Sequence, residues 1–233
     1  MTLKVKTNVL VGFLKKVRME GAQQIVEAKL KFENDGLKIN AGGDQTMTVG
    51  WLMKTAFKEY DELGVIGLND LGNVVRVLER FGEFIAIETE GNLMTVKGEG
   101  KKVEVELVAE GFLSTDKAEP DLKYEESFSI TATKLKEFYK DVQLNKDSEM
   151  TVFTDEKKVT ITNTGKYKFT NSIEAPMCKG GAKSKFAQPL IDGTINLDGN
   201  LEISIGTDYP LKILEKTDTS AITVIIAPRV SDD

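Results

Sequence analysis

The sequence contains no histidine and a single cysteine, Cys178. Those two shortages exclude Ser-His-Asp and Cys-His catalysis, zinc or haem held by histidine, and any disulfide framework. Chemistry, if any, would have to run on Asp, Glu, Lys, Arg, Ser or Tyr. Long apolar runs are missing too. The stretch from Val9 to Leu14 is interrupted by Gly12 and followed by Lys15, Lys16 and Arg18, unlike a secretory leader, and no segment approaches the roughly 20 apolar residues of a membrane span. An intracellular, soluble protein with no membrane association is the expectation, and a lone thiol fits a reducing compartment. The glycine- and lysine-rich segment Lys179-Gly-Gly-Ala-Lys-Ser-Lys185 lacks the G-x-x-x-x-G-K-[ST] order of a phosphate cradle and reads as a loop. Asp61-Glu62 and Asp155-Glu156 sit in charged turns, not in the buried setting that would split the pKa values of a catalytic pair. No catalytic residue, metal site or cofactor is expected.

What is present describes a folded chain. Of 233 residues, 40% are hydrophobic and 29% charged, an ordinary globular balance, and the length suits two domains. Leu10, Phe13, Leu14 and Val17 form the i, i+3, i+4, i+7 stripe of an amphipathic helix, with Thr7 placed to cap it. The period then drops to two: Ala28, Leu30 and Phe32 alternate with charged residues, Asn34-Asp35-Gly36 reads as a hairpin turn, and strands are predicted near 46–53 and 56–60. A second helix is predicted over 70–81, followed by a three-stranded meander through 84–88, 93–97 and 103–108.

From Glu110 to Lys123 the pattern lapses into a linker, and the order then repeats. Ser127–Ile130 reads as a strand, Leu135, Phe138 and Val142 as a helical stripe, and Phe153–Ile161 as a hairpin matching Phe32–Ile39. A strand is predicted over 166–173, a short helical segment from Gln188, and a closing meander through 201–205, 210–215 and 221–227. The chain therefore reads as an α+β protein of two tandem similar domains, 1–109 and 125–233, joined by a connector at 110–124. In each, helices pack on antiparallel sheets.

Lysines and arginines number 31 against 37 acidic residues, a net charge of −6, so the molecule as a whole is no polyanion binder. Three predicted helices nevertheless carry basic outer faces: Lys15 and Lys16, Arg76 and Arg80, Lys136 and Lys140. Helices put charges outward in any case, but should these faces share one side they would suit sequence-independent phosphate contact. No aromatics interleave with them, so base stacking is not indicated.

Three ordered segments of the second half, Ala182-Lys-Ser-Lys-Phe-Ala, Leu201-Glu-Ile-Ser-Ile-Gly-Thr-Asp-Tyr-Pro-Leu-Lys-Ile213 and Ile226-Ala-Pro-Arg-Val230, resemble the DNA polymerase sliding clamps of the archaeal and eukaryotic type, the proliferating cell nuclear antigen family. Phe32–Ile39 followed by Asp44, and Glu119 through Tyr124, are similar to further family segments. The resemblance implies a processivity factor: a closed ring, usually of three chains, that encircles double-stranded DNA. It also implies a clamp loader, and a DNA polymerase and other clients that insert a short peptide under the connector. It places that groove at Gly43, Met47, the 112–120 connector with Phe112, Leu113 and Pro120, then Pro210, Ala227, Pro228 and Arg229. Ring closure is expected between Lys101–Ala109 of one copy and Lys166–Ala175 of the next. Three features depart from the family pattern: a fourth helical segment without Lys or Arg, a polar connector carrying Lys117 and Glu119, and Gly42-Gly43 in the groove wall. The competing expectations are a structural or adaptor β-protein, for example a viral assembly component, and a carboxylate-based metal-dependent hydrolase.

Overall fold

The structure is a computed structural model and describes residues 2–19, 21, 24–43, 45–113, 119–145, 149–187, 191 and 193–229. Asp44, connector residues 114–118, residues 188–190 and 192 of the fourth helical segment, and Val230 lie outside the described residues.

The first half runs β1 (Thr2–Lys6), α1 (Thr7–Arg18), β2 (Ala28–Glu33), β3 (Gly36–Gly42), β4 (Thr46–Met53), β5 (Phe57–Glu59), β6 (Gly64–Leu68), α2 (Leu71–Leu78), β7 (Phe84–Glu90), β8 (Leu93–Gly98) and β9 (Lys101–Glu106). The second runs β10 (Glu126–Thr131), α3 (Ala132–Gln143), β11 (Glu149–Asp155), β12 (Lys158–Asn163), β13 (Thr170–Glu174), β14 (Lys183–Ala187), β15 (Asn200–Ile205), β16 (Leu211–Lys216) and β17 (Ser220–Ile226). These strands form a five-stranded sheet β5-β1-β7-β8-β9, an eight-stranded sheet β10-β15-β16-β17-β4-β3-β2-β6 and a four-stranded sheet β13-β12-β11-β14.

The strand orders repeat. Within the eight-stranded sheet, β10-β15-β16-β17 from the second half has the order of β1-β7-β8-β9 in the first, and β4-β3-β2-β6 has the order of β13-β12-β11-β14. The two halves meet where β17 pairs antiparallel with β4, from Ser220↔Leu52 to Ile226↔Thr46. Chain continuity through a sheet is thus achieved by strands far apart in sequence, and a common core fills the space beneath.

Helix α1 lies over this seam. Its buried stripe of Leu10, Phe13, Leu14 and Val17 faces β4 at Gly50, where a Cβ would come within 2.6 Å of Val17 Cγ2 and 2.9 Å of Phe13 Cζ. The missing side chain lets helix and strand approach. Full burial of such a side chain contributes on the order of 1.5–3 kcal/mol, so the stripe anchors the seam. Helix α3 repeats the device with Leu135, Phe138, Tyr139 and Val142 buried.

Several local expectations are corrected. Thr7 is the first residue of α1, not its cap: Lys6 is the N-cap and contributes no side-chain bond, and Thr7 Oγ1 is buried without a hydrogen-bond partner. The predicted second helix ends at Leu78, leaving Arg80 just beyond it, because Phe81 and Gly82 turn the chain into β7. Thr131 caps α3, its side chain accepting from the Lys134 N–H at 3.2 Å. The 166–173 strand is shortened to Thr170–Glu174, since Tyr167 and Phe169 give their main-chain N–H groups to the Asn145 and Asn163 side chains at 2.9 and 2.7 Å. The hairpin repeat is shifted by one residue from the sequence match. The ladders set Glu33↔Gly36 against Asp155↔Lys158, so buried Phe32 corresponds to buried Thr154 rather than to Phe153. Of the fourth helical segment, Gly193–Asn196 is one 3-10 turn.

Candidate nucleic-acid interface and partner groove

Lys15 and Lys16 of α1 and Lys136 of α3 are gathered on one side of the molecule. Asp198 follows the 3-10 turn and holds one lysine on each carboxylate oxygen: Lys16 of α1 stands 3.4 Å from Oδ2, and Lys136 of α3 stands 3.4 Å from Oδ1. A single exposed carboxylate can reach both only if the two outer faces adjoin. Lys15 pairs with Glu79, just past α2, at 2.5 Å, which brings the end of α2 to the same side.

The six basic residues are not equivalent. Lys16 is largely buried, and its Nζ sits 2.5 Å from Glu215, a β16 residue that is 2% exposed. The other Glu215 oxygen accepts the Asp198 N–H at 2.7 Å. This carboxylate, on β16, thus joins α1 of the first half to the turn before β15 in the second. Lys15 and Lys136 are held by Glu79 and Asp198. Arg76 donates to Asn73 Oδ1 at 2.9 Å and, like Arg80 and Lys140, is exposed and makes no ion pair with the described residues. Asp198 and Glu215 carry no signal in the sequence, because their partners lie in other elements.

On another part of the surface, the expected groove residues fall into two groups. Gly43, Met47, Pro210 and Ala227 line a shallow cavity of about 200 Å³ together with Gln45, Thr46 and Ile225. Pro120 lines an adjoining hollow of about 260 Å³ with Glu119, Tyr124, Lys212 and the same Ile225. Lys212 reaches Glu119 at 3.1 Å, fastening the end of the connector to β16. Burial, followed by the proximity of Tyr209 and Glu119, pushes the Tyr124 phenol up to about 12, so it is neutral throughout the physiological range.

The remaining groove candidates are not brought into these hollows. Leu113 is buried over β6 while Phe112 beside it is 83% exposed, the connector start being held by the Val108 N–H on Gly67 O at 3.0 Å. Arg229 is turned toward the second half, its side chain 3.0 Å from Glu149 and its N–H on Lys185 O at 2.7 Å. Pro228 lines neither hollow. Gln45, Ile225, Tyr124 and Lys212 were missed from the sequence. The one available signal was the apolar run Val224–Ala227, since a strand apolar on both faces has something to cover on each. A larger hollow of about 430 Å³ at the start of α1, lined by Lys6, Thr7, Glu79 and Glu83 among others, includes no expected site residue.

Solved structures match this chain over nearly its whole length. A. fulgidus PCNA, in a structure bound to the C-terminal region of FEN-1, superposes with a TM-score of 0.85 at 18% identity, covering 100% of this chain and 99% of that one. The chain has the fold of the PCNA-type sliding clamps. The clamp of Entamoeba histolytica matches with a TM-score of 0.83 at 15% identity over 98% of both chains. A chain of the PCNA2-PCNA3 complex of Sulfolobus tokodaii matches with a TM-score of 0.77 at 19% identity, over 98% of this chain and 99% of that one. No protein-family model matches the sequence, and no curated protein does. Among the described residues no helix is long and apolar enough to cross a membrane.

Proposed function

We propose that the chain is a DNA sliding clamp, an intracellular, non-catalytic ring that encircles duplex DNA and tethers DNA polymerase and other replication and repair enzymes. Residues 1–109 and 125–233 are its two modules and 110–124 their connector. Three copies close the ring, as the family resemblance implies, and a clamp loader places it on DNA.

The observation that carries this reading is the relation between the internal seam and the two open edges. β9 ends the five-stranded sheet and β13 ends the four-stranded one, and in strand order they are the counterparts of β17 and β4, which pair within the chain. Joining β9 of one copy to β13 of the next therefore reproduces a junction the chain already makes. A head-to-tail contact of this kind makes a ring when the rotation between copies divides a full turn, and pairing removes edges that would otherwise template indiscriminate association.

We take the register between copies from the hairpin turns: with Gly98–Lys101 matched to Thr217–Ser220, Val103 and Val105 take the places of Ile222 and Val224, and with β13 matched to β4, Asn171 and Phe169 take those of Gly50 and Thr48. Glu106 then faces Lys168, and Lys102 lies diagonal to Glu174, so the outer row pairs opposite charges. Inside such a ring, Lys15, Lys16, Arg76, Arg80, Lys136 and Lys140 face the duplex, and contacts to phosphate without base readout let the ring slide. Outside it, the hollow of Gly43, Met47, Pro210 and Ala227, with Pro120 in the adjoining one, receives client peptides.

Multi-angle light scattering and retention on circular DNA test the reading. A mass near three chains and stimulation of a cognate polymerase on primed circles are expected; a strict monomer without stimulation would overturn it.

A further inference from the structure

The carboxylate of Asp198 bridges two lysines. It is 69% exposed, with one lysine on each oxygen, and the two lysines come from the two halves of the chain. Its backbone is fixed: the Asp198 N–H is held by Glu215, the Asn196 amide donates to Lys15 O at 3.4 Å, and Thr194 and Tyr139 hydroxyls share a hydrogen bond of 2.9 Å. Only the side chain is free to leave. Exposed ion pairs are weak and yield to a competing anion, whereas Lys16 keeps its second, buried partner Glu215 when Asp198 swings away.

We propose that Asp198 is an internal competitor for DNA phosphate. It covers a phosphate subsite between Lys16 and Lys136 at the junction of the two modules and thereby limits how tightly the inner face grips the duplex. The inference rests on the clamp reading and adds to it a residue that tunes the grip. A backbone phosphate presents two anionic oxygens to the two ammonium groups, as the carboxylate does, and enters as Asp198 leaves. With the carboxylate in place, Arg76, Arg80 and Lys140 make the persistent contacts, and the subsite is engaged only part of the time. Weak engagement favours sliding over pinning.

The test is a fluorescence-anisotropy titration of a short labelled duplex across a salt series, with retention on circular DNA measured in parallel. Asp198→Asn keeps the backbone bond to Glu215 and removes the competitor. It should bind about three- to tenfold more tightly near 0.1 M salt and steepen the slope of log K against log salt by about 0.9, the signature of one added phosphate contact. Asp198→Glu should restore wild-type behaviour. Lys136→Gln in the Asp198→Asn background should erase the gain. Glu156→Gln, which removes the same charge from a remote exposed turn, should leave the slope unchanged. If wild-type protein is retained on circles while Asp198→Asn and Glu156→Gln have equal slopes, the inference is overturned and the clamp reading stands. If wild-type protein shows neither salt-dependent duplex binding nor retention, both fall.

Discussion

The seam between β17 and β4 and the free edges β9 and β13 occupy corresponding places in the two halves, yet they are built from different residues. Ile222, Val224 and Ile226 in β17 are buried to 1% exposure or less. Their counterparts in β9 belong to Lys-Lys-Val-Glu-Val-Glu, of which only Val103 and Val105 are even half-buried in the single chain. β4 is mostly apolar, its Thr46 and Thr48 buried, and carries Gly50 under α1, whereas β13 reads Thr-Asn-Ser-Ile-Glu. A junction that never opens is made of core. An edge that, in the proposed ring, pairs between separate chains keeps an apolar row on one face and charges on the other, a composition that tolerates water before pairing.

That contrast can be broken at its strongest point. Ile222→Ala should lower the stability of the folded chain by about 2–5 kcal/mol, as large-to-small changes in a full core do, while Val103→Ala at the corresponding edge position should cost far less in the unassembled protein. Urea unfolding of both variants below the assembly concentration measures the difference.

Gly50→Ala comes next. The added methyl would press on Val17 and Phe13, and overpacking of this kind costs about 1–3 kcal/mol. Thr170→Ala, at an exposed position of the open edge β13, should change thermal stability by roughly 0.5 kcal/mol or less. Equal losses at the two sites would contradict the assignment of β4 as seam and β13 as edge.

The helices α1 and α3 allow a smaller test of the same kind. Thr131 caps α3, so Thr131→Ala should cost about 1 kcal/mol. Thr7 lies inside α1 with its hydroxyl buried and unpartnered, so Thr7→Val should be neutral or slightly stabilising, because no hydrogen bond is lost. Thermal melts of the two variants decide between them.

The smallest effect concerns register. Glu106→Lys or Lys168→Glu alone should weaken assembly by roughly 0.2–1 kcal/mol per junction, and the double swap should restore it. Sedimentation across a dilution series reads this directly; failure of the double variant to recover would reject the proposed pairing of Glu106 with Lys168.

Much of the fold was legible because short-range physics writes it into the pattern. The stripes of α1 and α3, the turn at Asn34-Asp35-Gly36, and the repeat across the connector all follow from periods of 3.6 and 2 and from where glycine interrupts them. The departures occur where one side chain outcompetes a propensity. Asn145 and Asn163 claim the backbone of Tyr167 and Phe169 and delay β13, and nothing within that strand announces it. In the candidate groove, Gly43, Met47, Pro210 and Ala227 line one hollow, while Arg229 is drawn off by Glu149, a partner set by the path of β11.

By itself the sequence determined that helices and antiparallel strands alternate in two similar modules, and that no histidine or disulfide chemistry is available. It also determined that three helices carry basic faces. Tertiary structure alone decided which of those charges are committed. Lys16 and Glu215 are 199 positions apart, and Asp198 meets lysines from both modules. Periodicity tells which way a side chain points from its own element, since that depends on neighbours three or four residues away. Which opposite charge waits there depends on how distant elements pack, and that is settled only when the two halves close on a common core.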